Sequence, residues 1–120
     1  MKILIVEDDS FLLELMTKKI AAAGYEVLFA STVPDGMKKL EETPSLALLD
    51  LLLPSGSGFD ILKAIRGDAQ LKDIPVIIFS NLSEDKDILE AKTLGATEFM
   101  IKSNFNLDEL VKKIDTLLHR

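Results

Sequence analysis

The chain has 120 residues, enough for one core and too few for a receptor module joined to an output module. Apolar residues make up 48% and charged residues 28%, a globular balance, and the net charge of −6 argues against nucleic acid as a direct partner, since phosphate contacts need clustered Lys and Arg. The absence of cysteine excludes disulfides and thiolate metal sites, no apolar run approaches the ~18 residues that span a bilayer, and the expectation is a cytoplasmic protein without a membrane partner.

Lys2–Val6 is β-branched and apolar and is bounded by Glu7-Asp8-Asp9, the pattern of a strand buried on both faces. Asp9 or Ser10 can cap the next helix, which carries Leu12, Leu13, Met16 and Ile20 at helical spacing and ends before Gly24. Tyr25–Ala30 reads as a second strand. Thr32-Val33-Pro34-Asp35 starts a helix that runs to about Glu42, where Thr43-Pro44 stops it. Leu46–Leu49 is the third strand and ends in a lone carboxylate, Asp50. A turn over Pro54–Gly58 leads to a helix with Phe59, Leu62 and Ile65 on one face and Gly67 near its end.

Val76-Ile77-Ile78-Phe79 is the clearest buried strand in the chain. Ser83 is the expected cap of a helix whose first turn carries Glu84, Asp85 and Asp87, all favourable at the positive end of the dipole, and which ends near Gly95. Thr97–Ile101 is the last strand. Asn106 to Glu109 has the form of a capping box for a final helix that buries Leu107, Leu110, Val111, Ile114 and Leu118. Strand–helix repeated five times with short loops implies an α/β fold with a parallel sheet, helices on both faces and right-handed crossovers.

All strands of a parallel sheet end along one edge, which is where ligands bind in open α/β sheets. Strand one ends in Glu7 and Asp8, strand three in Asp50, strand four in Ser80 and strand five in Lys102. Two carboxylates about 4 Å apart repel by roughly 4 kcal/mol at an effective dielectric of 20. Three of them offset only in part by Lys102 must hold a proton or bind a cation. An all-oxygen set with few protein ligands suits Mg²⁺, which bridges readily to phosphate. A carboxylate can form an acyl phosphate, so Asp50 is a candidate nucleophile for phosphoryl transfer. Taken singly, Asp50 has the ordinary reading of a helix cap, Ser80 of a loop serine and Lys102 of a solvated lysine. The functional reading rests on their coincidence at four strand ends.

The pair Glu7-Asp8, the segment Asp50-x-x-x-Pro54-x-x-x-Gly58, Ser80 after Val76–Phe79, and Lys102 after Phe99-Met100-Ile101 resemble, in order and spacing, the receiver domain of two-component response regulators. The resemblance covers the whole chain, read as one receiver domain over residues 1–120. It implies a flavodoxin-like (βα)5 sandwich of three layers with strand order 2-1-3-4-5. It implies that Asp50 accepts a phosphoryl group from a sensor histidine kinase or a phosphotransfer protein. Glu7, Asp8, Asp50 and the backbone carbonyl of Leu52 would hold Mg²⁺, and Lys102 and Ser80 would contact the phosphoryl oxygens. The chain would assist its own phosphotransfer and dephosphorylation without being a turnover enzyme. Phosphorylation would draw Ser80 toward the new phosphoryl oxygens, let Phe99 move inward into the space left behind, and change the 83–120 face toward a downstream protein target or a second copy of the chain. With Leu117-Leu118-His119-Arg120 closing the last helix, the expectation is a stand-alone regulator or a piece excised from a longer chain.

Several positions depart from the family's commonest pattern. Ser103 follows Lys102 where proline is usual, so the cis X-Pro bond expected there is lost. Ser80 replaces threonine and keeps the hydroxyl, and Asn81 stands where a small residue is common. Phe99 occupies an aromatic switch position without a hydroxyl; the plain alternative is a fixed core aromatic. Leu52 and Leu82 lie where the family tunes dephosphorylation, and neither can orient a water, which implies a long-lived phospho-Asp50; alternatively both simply pack on neighbouring loops. The competing reading of the whole is an unphosphorylated pseudo-receiver acting as an interaction module. A flavin or nucleotide binder lacks its glycine-rich loop here, and a Mg²⁺-dependent phosphatase lacks a second Asp at position 52.

Overall fold

The structure is a computed structural model that describes residues 1–104 and 106–119. Five strands form one parallel sheet: β1 (Lys2–Val6), β2 (Glu26–Ala30), β3 (Leu46–Leu49), β4 (Val76–Ser80) and β5 (Glu98–Ile101), in the order 2-1-3-4-5. Helices α1 (Ser10–Ala22), α2 (Val33–Lys39), α3 (Gly58–Arg66), α4 (Asp85–Thr93) and α5 (Leu107–Leu117) alternate with them. Among the described residues no helix is long and apolar enough to cross a membrane.

The apolar runs of β1, β3 and β4 are buried on both faces, because successive side chains alternate between two cores. Leu4, Val6, Leu49, Ile78, Ile61, Leu62 and Ile65 pack together on the side of α2, α3 and α4. Ile3, Ile5, Leu48, Ile77, Met16, Ile20, Leu110 and Ile114 pack on the side of α1 and α5. Burying one such side chain contributes about 1.5–3 kcal/mol, so both layers of contact between sheet and helices stabilise the fold. The register is fixed by this alternation: Val6 pairs with Leu49, Leu49 with Ile78, and Ser80 with Ile101.

The expected elements are all present, with shifted ends. Asp9 rather than Ser10 caps α1, accepting from Leu12 N–H at 3.1 Å. Gly24 follows α1 with φ of +99°, a conformation glycine adopts without a Cβ penalty. The second helix stops being α-helical at Lys39 and closes as a 3₁₀ turn over Leu40–Glu42. Strand β2 begins at Glu26, after Tyr25, and β5 begins at Glu98, just after Thr97, whose hydroxyl accepts from Val76 N–H at 3.0 Å. The cap of α4 is Glu84, not Ser83; Asp87 Oδ2 accepts from Glu84 N–H at 3.2 Å. On α5, Asn106 accepts from Glu109 N–H at 2.8 Å.

Candidate functional site

Between Asp50 and α3 the chain makes a tight turn in which Leu53 and Gly56 exchange backbone hydrogen bonds at 3.3 Å. Ser57 caps α3 by accepting from Phe59 N–H at 3.1 Å, and Asp60 Oδ2 accepts from Ser57 N–H at 3.2 Å. This capping box draws the start of α3 against the end of β3. A Cβ on Gly58 would lie 2.1 Å from the Asp50 carbonyl oxygen, so glycine is what allows the approach that seats Asp50. The spacing from Asp50 to Gly58 therefore has a steric cause.

Asp50 is buried at the end of β3, as is Glu7 at the end of β1. Asp8 beside them is exposed, and one carboxylate oxygen from each of Glu7, Asp8 and Asp50 lies within 4.8 Å of the others. The Lys102 ammonium reaches over from the end of β5, 2.5 Å from Glu7 Oε1 and 2.6 Å from Asp50 Oδ2. The remaining oxygens are also engaged: Glu7 Oε2 accepts from Asp9 N–H at 3.1 Å and Asp50 Oδ1 from Leu52 N–H at 3.3 Å. Ser80 is buried at the end of β4, and its Oγ accepts from Leu82 N–H at 3.2 Å. These residues, with Asp9, Leu52, Asn81 and Leu82, line an open cavity of about 380 Å³.

The electrostatics follow from this crowding. Burial raises the Glu7 carboxyl above its ordinary range; the bonds from Lys102 and Asp9 N–H oppose the shift, and the charge on Asp50 adds to it. Burial lowers the tendency of Lys102 to carry charge, but its bonds to Asp50 and Glu7 outweigh that and raise its pKa. Lys102 is therefore a fixed cation at neutral pH. It compensates for one negative charge in a set of three carboxylates. The all-oxygen donor set and its uncompensated charge fit a small hard dication.

The predicted site residues Glu7, Asp8, Asp50, Leu52, Ser80, Leu82 and Lys102 converge on the one cavity. Phe99 lies elsewhere. It is half-buried against the core on the α4 side and lines a separate pocket of about 250 Å³ with Ile88, Ala91, Lys92, Ala96, Thr97 and Glu98. Because Phe99 pairs with Ile78, it shares a sheet face with Ile78 and so with Ser80, two residues further along β4. Ser103, trans to Lys102 in a 3₁₀ turn over Lys102–Asn104, donates its N–H to Asn81 Oδ1 at 3.0 Å. That contact joins positions 22 apart, a separation that leaves no mark in local sequence spacing.

The family described as the response regulator receiver domain matches residues 3–115. The chain belongs to that family. The receiver is 32% identical over 123 residues to the DNA-binding dual master transcriptional regulator RpaA of Synechocystis sp., covering 99% of this chain and 49% of that protein. It is 31% identical over 120 residues to the phosphate regulon transcriptional regulatory protein PhoB of Klebsiella pneumoniae, covering 99% of this chain and 52% of that protein. It thus spans about half the length of these curated relatives. Among solved structures it is similar to the chemotaxis protein CheY4 of Vibrio cholerae, with a TM-score of 0.89 at 26% identity, covering 97% of each chain. Phosphoryl acceptance is typical of receiver domains, which generally bind Mg²⁺ at an acidic pocket and interact with histidine kinases and downstream effectors.

Proposed function

We propose that this receiver accepts a phosphoryl group on Asp50. The observation that supports it best is the Lys102 ammonium 2.6 Å from Asp50, inside a cluster that remains rich in negative charge. In the transfer, Asp50 Oδ attacks phosphorus, the P–N bond of a donor phosphohistidine breaks, and the leaving imidazole takes up a proton. Glu7, Asp8, Asp50 and the Leu52 carbonyl would hold Mg²⁺. When bound, the ion supplies charge neutralisation for the acidic pocket and the incoming phosphoryl group. Lys102 supplies the second cation, and its hold on Asp50 aims the carboxylate.

After transfer, Lys102 exchanges its carboxylate partners for a phosphoryl oxygen. Ser80 gives up Leu82 N–H as a donor and turns its own hydroxyl to another. In this reading movement of Ser80 is felt by Phe99, which lies on the same sheet face and lines a pocket beside α4. The 83–120 face, which includes exposed Leu89 and part-exposed Ile88 on α4, then changes shape. A sensor kinase or phosphotransfer protein is the donor and a downstream protein, or a second copy of this chain, is the receiver of the signal, in the cytoplasm.

Incubation with Mg²⁺ and acetyl phosphate, followed by intact-mass measurement, tests the reading. One phosphoryl adduct is expected, absent in Asp50→Asn and absent with chelator. No adduct with acetyl phosphate or phosphoramidate, with Mg²⁺ present, would leave the pseudo-receiver reading in its place.

A further inference from the structure

Two of the departures, Asn81 and Ser103, are partners. Ser103 N–H donates to Asn81 Oδ1 at 3.0 Å. Asn81 directly follows Ser80, and Ser103 directly follows Lys102. The last backbone pair of the β4–β5 ladder is Ser80 with Ile101. The Asn81–Ser103 bond adds a rung beyond it, with a side-chain amide oxygen in the place of a backbone carbonyl. A proline at 103 would have no N–H to donate. Serine there brings a donor, and the long side chain at 81 brings its acceptor.

The rung carries the β4–β5 ladder one position past its last pair, from Ser80 and Ile101 to the residues that follow Ser80 and Lys102. Beyond that pair the chain diverges into separate connections, β4 to α4 and β5 to α5. On one side Ser80 Oγ is held by Leu82 N–H at 3.2 Å. On the other, Lys102 is held by Glu7 and Asp50. Both groups must reach oxygens of one phosphoryl group, and restricting their relative position beforehand lowers the entropy lost in the transition state.

We propose that Asn81 is a positioning residue that latches the end of β4 to the Lys102 turn through Ser103 N–H, so that hydroxyl and ammonium arrive at the phosphoryl group as one unit. The proposal rests on phosphoryl acceptance by Asp50. Asn81 touches neither donor nor metal in this role. It acts through Ser80 and Lys102, whereas the Mg²⁺ ligands sit at the ends of β1 and β3 and are not tied by this bond.

The test compares wild type, Asn81→Ala, Ser103→Pro and the double variant for the rate of adduct formation from acetyl phosphate at saturating Mg²⁺, and for Mg²⁺ affinity by calorimetry. Asn81 is exposed, so its truncation leaves the core intact. The expected result is a three- to tenfold slower adduct in Asn81→Ala with Mg²⁺ affinity within twofold of wild type. The double variant should be no slower than Asn81→Ala alone, as for two partners of one bond. A rate in Asn81→Ala within twofold of wild type, a parallel fall in Mg²⁺ affinity, or an additive loss in the double variant overturns the latch. No adduct on the wild type overturns phosphoryl acceptance, and the latch with it; an adduct formed equally by all four overturns the latch alone.

Discussion

Lys102 bridges Glu7 and Asp50, with its ammonium 2.5 Å from one carboxylate and 2.6 Å from the other. Both acids are buried, so the lysine is what makes their closeness tolerable in the resting protein. Removing one member of a buried ionic set leaves an uncompensated charge and costs about 3–5 kcal/mol. Lys102→Met, which keeps the aliphatic stem, is expected to lower unfolding free energy by about 3 kcal/mol in chelator, and Mg²⁺ is expected to restore more than half of the loss. Urea denaturation with and without Mg²⁺ measures both. Stability unchanged by Mg²⁺ in both proteins would contradict dication binding at these carboxylates, since a bound ligand must stabilise the folded state.

Glu7 gives the site a pH signature. Burial holds its carboxyl above the ordinary glutamate range, against the bonds from Lys102 and Asp9 N–H. An acid with a raised folded-state pKa binds more protons folded than unfolded between the two values. Its contribution is therefore fully present below the unfolded value and is lost as pH rises through the folded one. In chelator, the stability of wild type relative to Glu7→Gln is expected to fall as pH rises across that interval. A difference that stays flat or grows with pH would contradict the burial argument. In the proposed Mg²⁺ site the ionised carboxylate is a ligand, so apparent Mg²⁺ affinity is expected to weaken as pH falls through the same interval.

Gly58 tests how Asp50 is seated. A methyl group there would meet the Asp50 carbonyl at 2.1 Å, and backbone on both sides has little room to move. Gly58→Ala is expected to cost about 2 kcal/mol or more through overpacking and to slow phosphorylation at least tenfold by displacing Asp50. Gly67→Ala, whose added Cβ meets its nearest neighbour at 3.3 Å, is the comparison. Equal behaviour of the two variants in adduct formation would remove the steric account of the Asp50–Gly58 spacing.

Leu52 is 67% exposed and Leu82 37% exposed, and both border the cavity, so they do not pack away as core residues. Neither side chain can hydrogen-bond an attacking water. The double change Leu52→Asn with Leu82→Glu is expected to speed loss of the phosphoryl group by about tenfold, short of the roughly 10²–10⁴-fold of a fully placed general base. The decay of the adduct with time reads this directly, and an unchanged rate would contradict it.

Much of the site is legible in the sequence because of how parallel sheets bury their strands. Short β-branched apolar runs such as Ile3–Val6 and Val76–Phe79 have the pattern of strands buried on both faces, and the first polar residue after each marks the shared edge. That reasoning brings Glu7, Asp8, Asp50, Ser80 and Lys102 to one place without any side-chain geometry. The family resemblance supplies strand order, which alternation leaves open. Local competition among acceptors was harder to read. Ser83 and Glu84 both precede α4, and the choice falls to Glu84 because Asp87 accepts its N–H. Arg66 illustrates what pattern does not show at all. Its guanidinium donates to the carbonyls of Lys72, Ile74 and Gly95, pinning the end of α3 to the loop before β4 and the end of α4. Nothing in the spacing of position 66 announces a clamp, since it joins segments far apart in the chain. The Asn81–Ser103 bond is of the same kind.

The most direct measurement of the central claim is to locate the modified atom. The protein is exposed to Mg²⁺ and acetyl phosphate, the product is reduced with borohydride, which converts an aspartyl phosphate side chain to an alcohol, and the peptides are mapped by mass. The account expects reduction at Asp50 alone, lost on omission of Mg²⁺ and strongly diminished in Lys102→Met. Reduction at another carboxylate, or none at Asp50 under conditions that yield the intact adduct, would contradict it.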